Sequence, residues 1–213
     1  MILDELKRIE LYKQLNPNEL TPQQFSKLEH EVQYSKPKTM SDEYFDFFLW
    51  SKGFPSRQEN FANFIAKKLS KKEGIHILEV GGGRTARLSR ILSEKGFKMT
   101  CIDPNLEMEI SENIEFIKSR FNYKDFDLSI YDYVIAQEPC EATEHVVRAC
   151  TNQHIPFMMT LCGVPHRLIS GKTPKSVEKW YEYLVNISNT EIKLRYVKLD
   201  PFLSTPILRS NKF

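Results

Sequence analysis

Three consecutive glycines, Gly81–Gly83, lie where a short apolar segment meets a helical one. The segment before them, Ile77–Val80, is apolar apart from Glu79, and a helical pattern begins at Ala86. Glycine at such a turn permits a positive φ and lets a ligand approach the backbone, while the following helix presents free N–H groups. Asp103 ends the next apolar run, about 20 residues later, where a carboxylate can accept hydrogen bonds from both ribose hydroxyls. These residues predict a site for a ligand that contains a nucleoside.

The glycine pattern alone does not select that ligand, because Gly81–Ala86 also satisfies the G-x-G-x-x-G/A pattern of dinucleotide-binding proteins. Glu79 lies two residues before the first glycine, where an acid would repel a pyrophosphate but suits a ligand that carries an ammonium and a sulfonium. Residues 1–72, with helical character, also precede the first strand, whereas dinucleotide-binding domains generally begin at that strand. Both features disfavour a nicotinamide-dependent oxidoreductase, which stays as an alternative.

A second group of polar residues follows the fourth and fifth predicted strands, in segments Gln137–His145 and Leu161–Arg167. Ligands of open α/β sheets bind over the carboxyl ends of the strands, so both segments should face the cofactor and the group to be modified. The candidate general bases are Glu138, Glu141, His145 and His166. His166 is favoured, since histidine titrates near neutral pH and this one lies in a loop.

Each of these residues also has a plainer interpretation. His145, on the outer turns of a helix, can be solvated, and His166 can cap a strand end. Glu141 and Glu144 can be first-turn acids that complement a helix dipole. The spacings between the cysteines and histidines of this half match no compact zinc pattern, so we expect no metal.

From residue 75 onward, short apolar runs alternate with helical segments, which is typical of a parallel sheet with crossover helices. The predicted strands are Ile75–Val80, Lys98–Ile102, Ile114–Ile117, Tyr131–Ala136 and Ile155–Leu161. The predicted helices are Ala86–Lys95, Ala142–Cys150 and Lys175–Ile187. Ile192–Tyr196 alternates with period two and Pro206–Arg209 can return beside it, so we expect a terminal antiparallel hairpin. The fold class is therefore α/β.

Residues 1–72 are interpreted as a helical N-terminal cap, and residues 73–213 as the ligand-binding domain. Capping boxes begin at Thr21 and at Ser56, and each leads into an apolar helical pattern. Between them, the aromatic stretch Tyr44–Trp50 is expected to be buried or to roof a ligand pocket. We expect this cap to close over the cofactor and to help form the pocket for the second substrate.

The composition excludes several classes of protein. The chain has 213 residues, of which 41% are hydrophobic and 27% charged, so it is neither disordered nor fibrous. The 30 basic and 28 acidic residues are too balanced to indicate a nucleic-acid or membrane partner by charge alone. Acids near Met1 disfavour a signal peptide, and no run approaches the roughly 18 apolar residues of a membrane span. The 4 cysteines lack a CxxC pair, which is typical of reduced thiols, and we expect a cytoplasmic protein.

Over residues 75–165 the sequence resembles the class I S-adenosylmethionine-dependent methyltransferases. Leu78–Gly83 is similar to the first motif of that family and Cys101–Pro104 to the second. The resemblance implies S-adenosylmethionine as cofactor and a Rossmann-like, mostly parallel sheet of seven strands, which the terminal hairpin would complete. It implies that the acid at Glu79 helps to hold the methionine part, through a water or the amino group, and that Asp103 binds the ribose. The implied cofactor-binding residues are Glu79, Gly81, Gly82, Gly83, Asp103, Pro104, Ser119 and Gln137.

Two segments depart from the pattern of that family. The third strand is followed by Lys118–Phe121, without the acid that many members place against the adenine amino group. Ser119, or backbone atoms with Phe121 stacking on the base, would have to replace it. The fourth strand ends in Gln137–Cys140, which is not the Asn-Pro-Pro-Tyr signature of the enzymes that methylate amino groups of nucleic acids. We therefore expect no adenine or cytosine N-methylase of that type.

The resemblance implies transfer of a methyl group to an acceptor, and a small molecule is favoured over RNA because the chain has no separate nucleic-acid module. Displacement at a sulfonium needs no acid for the leaving group, so the protein supplies alignment, and a base where the acceptor carries a proton. A methyltransferase-like module that binds S-adenosylmethionine without catalysis is the alternative from another class.

Overall fold

A computed structural model describes residues 57–69, 74–107, 113–161, 163–171, 173–188, 192–199 and 204–213. The elements in chain order are α1 (Arg57–Leu69), β1 (His76–Val80), α2 (Arg87–Glu94), β2 (Lys98–Ile102), β3 (Ile114–Ile117), β4 (Tyr133–Gln137), a 3₁₀ turn (Cys140–Ala142), α3 (Thr143–Asn152), β5 (Phe157–Thr160), α4 (Val177–Ile187), β6 (Ile192–Lys198) and β7 (Ser204–Ser210). No helix within these ranges combines the length and the hydrophobicity needed to cross a membrane. The predicted helix start at Thr21 and the aromatic stretch Tyr44–Trp50 lie outside the described residues.

The strands form one seven-stranded sheet in the order β3-β2-β1-β4-β5-β7-β6. β1 to β5 pair in parallel, whereas β7 pairs antiparallel with both β5 and β6. The predicted α/β class and the seven strands are confirmed, and the sheet is mixed because β7 runs against the other six. The strand order reverses between β1 and β4, and ligands of open α/β sheets bind beside such a reversal.

Helices α1 and α2 cover one face of the sheet. Their buried apolar residues recur at intervals of three and four, as an amphipathic helix requires: Phe61, Ile65, Leu69, Leu88, Ile91 and Leu92. They pack with strand residues such as Ile77 and Ile135 in one cluster. Full burial of a side chain such as Phe61, which is 0% exposed, stabilises the fold by about 1.5–3 kcal/mol. α1 lies before the expected domain boundary at residue 73, yet its apolar face belongs to the core of the sheet.

Helices α3 and α4 cover the opposite face, where Val146, Trp180 and Leu184 pack with Leu78 and Met159. α4 begins after Ser176, whose hydroxyl oxygen accepts a hydrogen bond from the Lys179 N–H at 3.3 Å. Helices cover both faces of the sheet, and ligands of open α/β sheets bind beyond the carboxyl ends of the strands. We call the loops at the carboxyl ends of β1 to β5 the carboxyl edge.

Candidate functional site

The glycine loop between β1 and α2 packs closely against its neighbours at its first two glycines. Gly81 has a φ of +82° and Gly83 a φ of +65°, in the left-handed region that favours glycine. A Cβ added at Gly81 would lie 3.3 Å from Pro139, and one at Gly82 would overlap the sulfur of Cys101. The loop therefore presents bare backbone to the carboxyl edge, followed by the N-terminus of α2.

Asp103 follows β2 beside this loop and is 9% exposed. Its Oδ2 accepts a hydrogen bond from the Gly83 N–H at 3.1 Å, and its Oδ1 accepts one from the Asn105 N–H at 2.7 Å. Each carboxylate oxygen has two acceptor positions, so one on each oxygen is left for a ligand hydroxyl. The arrangement suits two adjacent hydroxyls, as on a ribose.

A second set of contacts, between Arg84 and Glu107, connects the loops after β1 and β2. The Glu107 N–H donates to the Arg84 carbonyl at 3.1 Å, and the Arg84 guanidinium forms an ion pair with the Glu107 carboxylate. Both side chains are more than 40% exposed, so the ion pair itself stabilises little. With the Asp103–Gly83 bond, these contacts hold the two loops in fixed relation.

Glu79 lies beneath the glycine loop and is 2% exposed. Its Oε2 accepts hydrogen bonds from the backbone N–H of Ser89, at 2.9 Å, and from the Ser89 hydroxyl, and the Cys101 thiol also bonds this carboxylate. Burial raises the pKa of Glu79 to about 7, although the bonds from Ser89 oppose that rise. Glu79 thus supports the loop through α2, and its predicted contact with a cofactor stays a prediction.

The raised pKa makes the stability of the fold depend on pH through Glu79. Its pKa is about 7 in the folded protein against an ordinary 4.5, so the folded state binds more protons between these values. This contribution to the free energy of unfolding is fully present below pH 4.5 and lost as pH rises through 7. Glu79→Gln, which stays neutral, should be more stable than wild type at pH 8 by about 1–3 kcal/mol, and the gain should vanish near pH 4.5.

Urea unfolding at both pH values measures this difference. Glu94→Gln, an equal change at an exposed residue of α2, is the control and should leave the free energy of unfolding within about 0.5 kcal/mol of wild type at each pH. If Glu79→Gln raised the free energy of unfolding equally at both pH values, the result would contradict a Glu79 carboxyl that titrates near neutral pH.

The end of β4 forms a tight segment against the glycine loop. Gln137 is half-buried, and its Oε1 is enclosed without a hydrogen-bond partner among the described residues. Glu138 and Cys140 have φ values of +49° and +48°, which cost energy for residues with a side chain and cluster at functional sites. The Glu138 N–H bonds the carbonyl of Thr160 at 3.1 Å and its hydroxyl oxygen at 3.2 Å, so β5 helps to fix this segment.

His145, in the first turn of α3, contacts the connection between β3 and β4. Its Nδ1 accepts a hydrogen bond from the Tyr123 N–H at 3.3 Å, and the two rings lie 5.7 Å apart. Burial lowers the pKa of His145, which favours the neutral ring. A neutral ring that accepts at Nδ1 carries its proton on Nε2, so His145 is a donor rather than a base while this bond lasts. The role of His145 as a base stays a prediction. In this structure its ring binds the backbone of the connection between β3 and β4.

On the side of β3, Ser119 and Pro104 are both exposed. The Ser119 hydroxyl donates to the Arg120 carbonyl at 3.4 Å, a weak bond that a ligand can replace. Phe121 is 6% exposed and packs against Phe126 with ring centres 5.2 Å apart. This ring is part of the core, and its expected stacking on a base stays a prediction.

His166 is exposed in the loop between β5 and α4, and its carbonyl accepts a hydrogen bond from the Thr173 hydroxyl at 3.4 Å. The preceding Cys162 lies outside the described residues. Within the described ranges, no group of three His, Cys, Asp or Glu residues is arranged to hold a metal ion.

The topology thus places Gly81–Gly83, Asp103, Gln137 and His166 at one edge of the sheet. The glycine loop contacts Asp103 and lies close to Pro139, whereas within the described residues no hydrogen bond joins it to His166 or Ser119.

Sequence reasoning missed the residues that support the loop from below. Ser89 and Cys101 resemble ordinary helix and strand residues, and no local signal marks them. Gly81 and Pro139 both belong to segments that the sequence singles out. The sequence does not show, however, that these two residues lie against each other.

No family model matches the sequence, and no curated protein matches it. Solved structures of methyltransferases are similar to it at low sequence identity. Magnesium protoporphyrin IX methyltransferase from Synechocystis, crystallised with S-adenosylmethionine, is 13% identical over 71% of this chain and 78% of that chain, with a TM-score of 0.49. 1,6-Didemethyltoxoflavin-N1-methyltransferase from Burkholderia thailandensis, crystallised with S-adenosylhomocysteine, is 14% identical over 72% and 78%, with a TM-score of 0.45. A methyltransferase from Aquifex aeolicus is 17% identical over 74% and 94%, with a TM-score of 0.43.

Proposed function

We propose that this chain is an S-adenosylmethionine-dependent methyltransferase. The observation that carries the proposal is the bare glycine loop after β1 fixed to the carboxylate of Asp103 after β2, beside the reversal of strand order between β1 and β4. The seven-stranded sheet with β7 as its antiparallel strand, implied by the resemblance to class I methyltransferases, supports it.

The residues of the carboxyl edge fit this cofactor. Asp103 has one acceptor position left on each oxygen for the two ribose hydroxyls. The half-buried Gln137 at the end of β4 is proposed to face the methionine part, and its enclosed Oε1 would turn outward to accept from the ammonium. Gly81–Gly83 present backbone without side chains to the carboxyl edge, and Glu79 with Ser89 supports that loop from below. The cofactor, when bound, supplies a methyl group on a sulfonium.

The protein's own contribution to methyl transfer is alignment, and removal of a proton where the acceptor carries one. The acceptor lies over the ends of β4 and β5 in this proposal, between Glu138 and His166. His166 is the preferred base, since His145 uses its Nδ1 to hold Tyr123. A small molecule is the proposed acceptor class, with RNA as the alternative.

Calorimetric titration of the full chain with S-adenosylmethionine, S-adenosylhomocysteine and NADH tests the cofactor. We expect either adenosyl ligand to bind with a Kd on the order of micromolar, about −8 kcal/mol, and NADH not to bind. Binding of NADH alone would replace the proposal by a nicotinamide-dependent oxidoreductase. Binding of S-adenosylmethionine without methyl transfer to any member of an acceptor panel would favour a module that binds but does not catalyse.

A further inference from the structure

The first turn of α3 contains a carboxylate that is buried more completely than its position suggests. Glu144 is 1% exposed, although it belongs to the polar N-terminal turn of a helix. Burying a charge is costly unless its hydrogen bonds are replaced, so the partners of Glu144 indicate what it does.

Glu144 has partners from three elements. Its Oε1 accepts hydrogen bonds from Arg148 Nε at 3.0 Å and from the Tyr183 hydroxyl of α4 at 2.5 Å. Its Oε2 accepts one from the backbone N–H of Ile169 at 2.8 Å. Arg148 also donates to the Tyr183 hydroxyl at 3.1 Å, which closes a network between the two helices. One oxygen of the carboxylate thus joins the helices, and the other holds the loop between β5 and α4.

The next residue, His145, contacts a second loop, the connection between β3 and β4. Its Nδ1 accepts the Tyr123 N–H of the connection between β3 and β4, and the Arg148 guanidinium lies 5.8 Å from the centre of the Tyr123 ring. Two consecutive side chains of α3 therefore fix the backbone of two loops, one on each side of the end of β4. We call Glu144 and His145 the anchor turn.

We propose that Glu144 is a positioning residue that holds the loop between β5 and α4 so that His166 stays over the cofactor. The proposal rests on the proposed function. Ile169 lies three residues after His166 in this loop, and its N–H bonds the Glu144 carboxylate of α3. Packing between α3 and α4 alone would be served by apolar side chains, whereas the bond to the Ile169 N–H requires an acceptor. Glu144 does not contact the reacting atoms and acts through the loop.

The test uses the full chain, S-adenosylhomocysteine as the probe, and three variants. Glu144→Gln keeps the shape of the side chain and removes its charge. Ile169→Pro removes the N–H donor of the loop and leaves the Glu144–Arg148–Tyr183 network in place. Glu182→Gln, at an exposed residue of α4 next to Tyr183, is the matched control for the loss of one charge.

Two quantities are measured, the affinity for S-adenosylhomocysteine by calorimetry and the shift of the assigned His166 imidazole signals in NMR when the probe binds. We expect all variants to bind within about twofold of wild type, because the glycine loop and Asp103 are untouched. The His166 shift should persist in Glu182→Gln and fall by more than half in both Glu144→Gln and Ile169→Pro. In Glu144→Gln the single amide oxygen of the new side chain should face the two donors Arg148 and Tyr183, which leaves its NH2 group opposite the Ile169 N–H. The Ile169 amide of this variant should therefore exchange with solvent about tenfold faster.

The alternative results are distinct. An unchanged His166 shift in Ile169→Pro overturns the proposal even where Glu144→Gln fails to fold, because the Ile169→Pro variant lacks the N–H that bonds Glu144. If the His166 signals of the wild type do not shift when S-adenosylhomocysteine binds, the proposed role of Glu144 is also overturned. The proposed cofactor would still stand. Absence of S-adenosylhomocysteine binding in the wild type overturns the proposed function and this inference with it.

Discussion

Asp103→Asn should weaken the binding of S-adenosylhomocysteine by at least about 100-fold, since it removes two charge-assisted hydrogen bonds of roughly 1.5–3 kcal/mol each. The amide keeps the size of the carboxylate but has one donor group. In either orientation that donor faces an N–H, of Gly83 or of Asn105, so the loop contacts also suffer. Calorimetric titration of the variant and the wild type measures the loss.

A matched control lies at the opposite end of the sheet. Asp132 is exposed and accepts a hydrogen bond from the His76 N–H at 2.9 Å, so Asp132→Asn makes the same chemical change and also disturbs one backbone donor. Its affinity for S-adenosylhomocysteine should stay within about twofold of wild type. Wild-type affinity in the Asp103 variant would mean that the ribose does not lie at the end of β2.

Gly82→Ala should destabilise the protein by about 1–3 kcal/mol and abolish measurable binding of S-adenosylhomocysteine. The added Cβ would overlap the sulfur of Cys101 and would lie 3.2 Å from Cδ of Glu79, and both neighbours are buried. The loop must therefore move away from β2, which separates it from Asp103. The free energy of unfolding and the affinity are measured on the same preparations.

The double variant Gly82→Ala with Cys101→Ala identifies the cause. Removing the sulfur frees the space that the new Cβ needs, so the two changes should be less harmful together than the sum of each alone, by about 1 kcal/mol or more. Gly163→Ala is the control, since a Cβ there meets nothing within 4 Å, and its stability should equal that of the wild type. Strictly additive effects of the two substitutions would exclude the clash with Cys101.

The strands are predictable from the sequence where a short apolar run lies between turn signals. β2 and β3 have the predicted bounds, Lys98–Ile102 and Ile114–Ile117. β5 is shorter than predicted and begins at Phe157, because the N–H of Ile155 bonds the Cys150 carbonyl at the end of α3. The apolar pattern cannot distinguish a strand residue from one that closes the preceding helix.

The directions of single side chains are much less predictable. β1 is buried on both faces after its first residue, so alternation does not reveal to which side Glu79 points. Glu144 matches the pattern of a first-turn acid that complements the helix dipole, but its partners Tyr183 and Ile169 come from distant parts of the chain. No periodic pattern in the sequence predicts such contacts, since they depend on how α3, α4 and their loops pack together.

The position of β7 has a consequence for how the protein is made. β7 lies between β5 and β6 although it follows both in the chain, and its central residues Ile207 and Leu208 are each 0% exposed, one in each core cluster. During translation β6 cannot join the sheet until residues 204–210, which form β7, have left the ribosome. Until then a nascent chain presents the open edge of β5 to chaperones and to neighbouring chains. A stop codon before residue 204 would therefore remove an interior strand and detach β6 from the sheet.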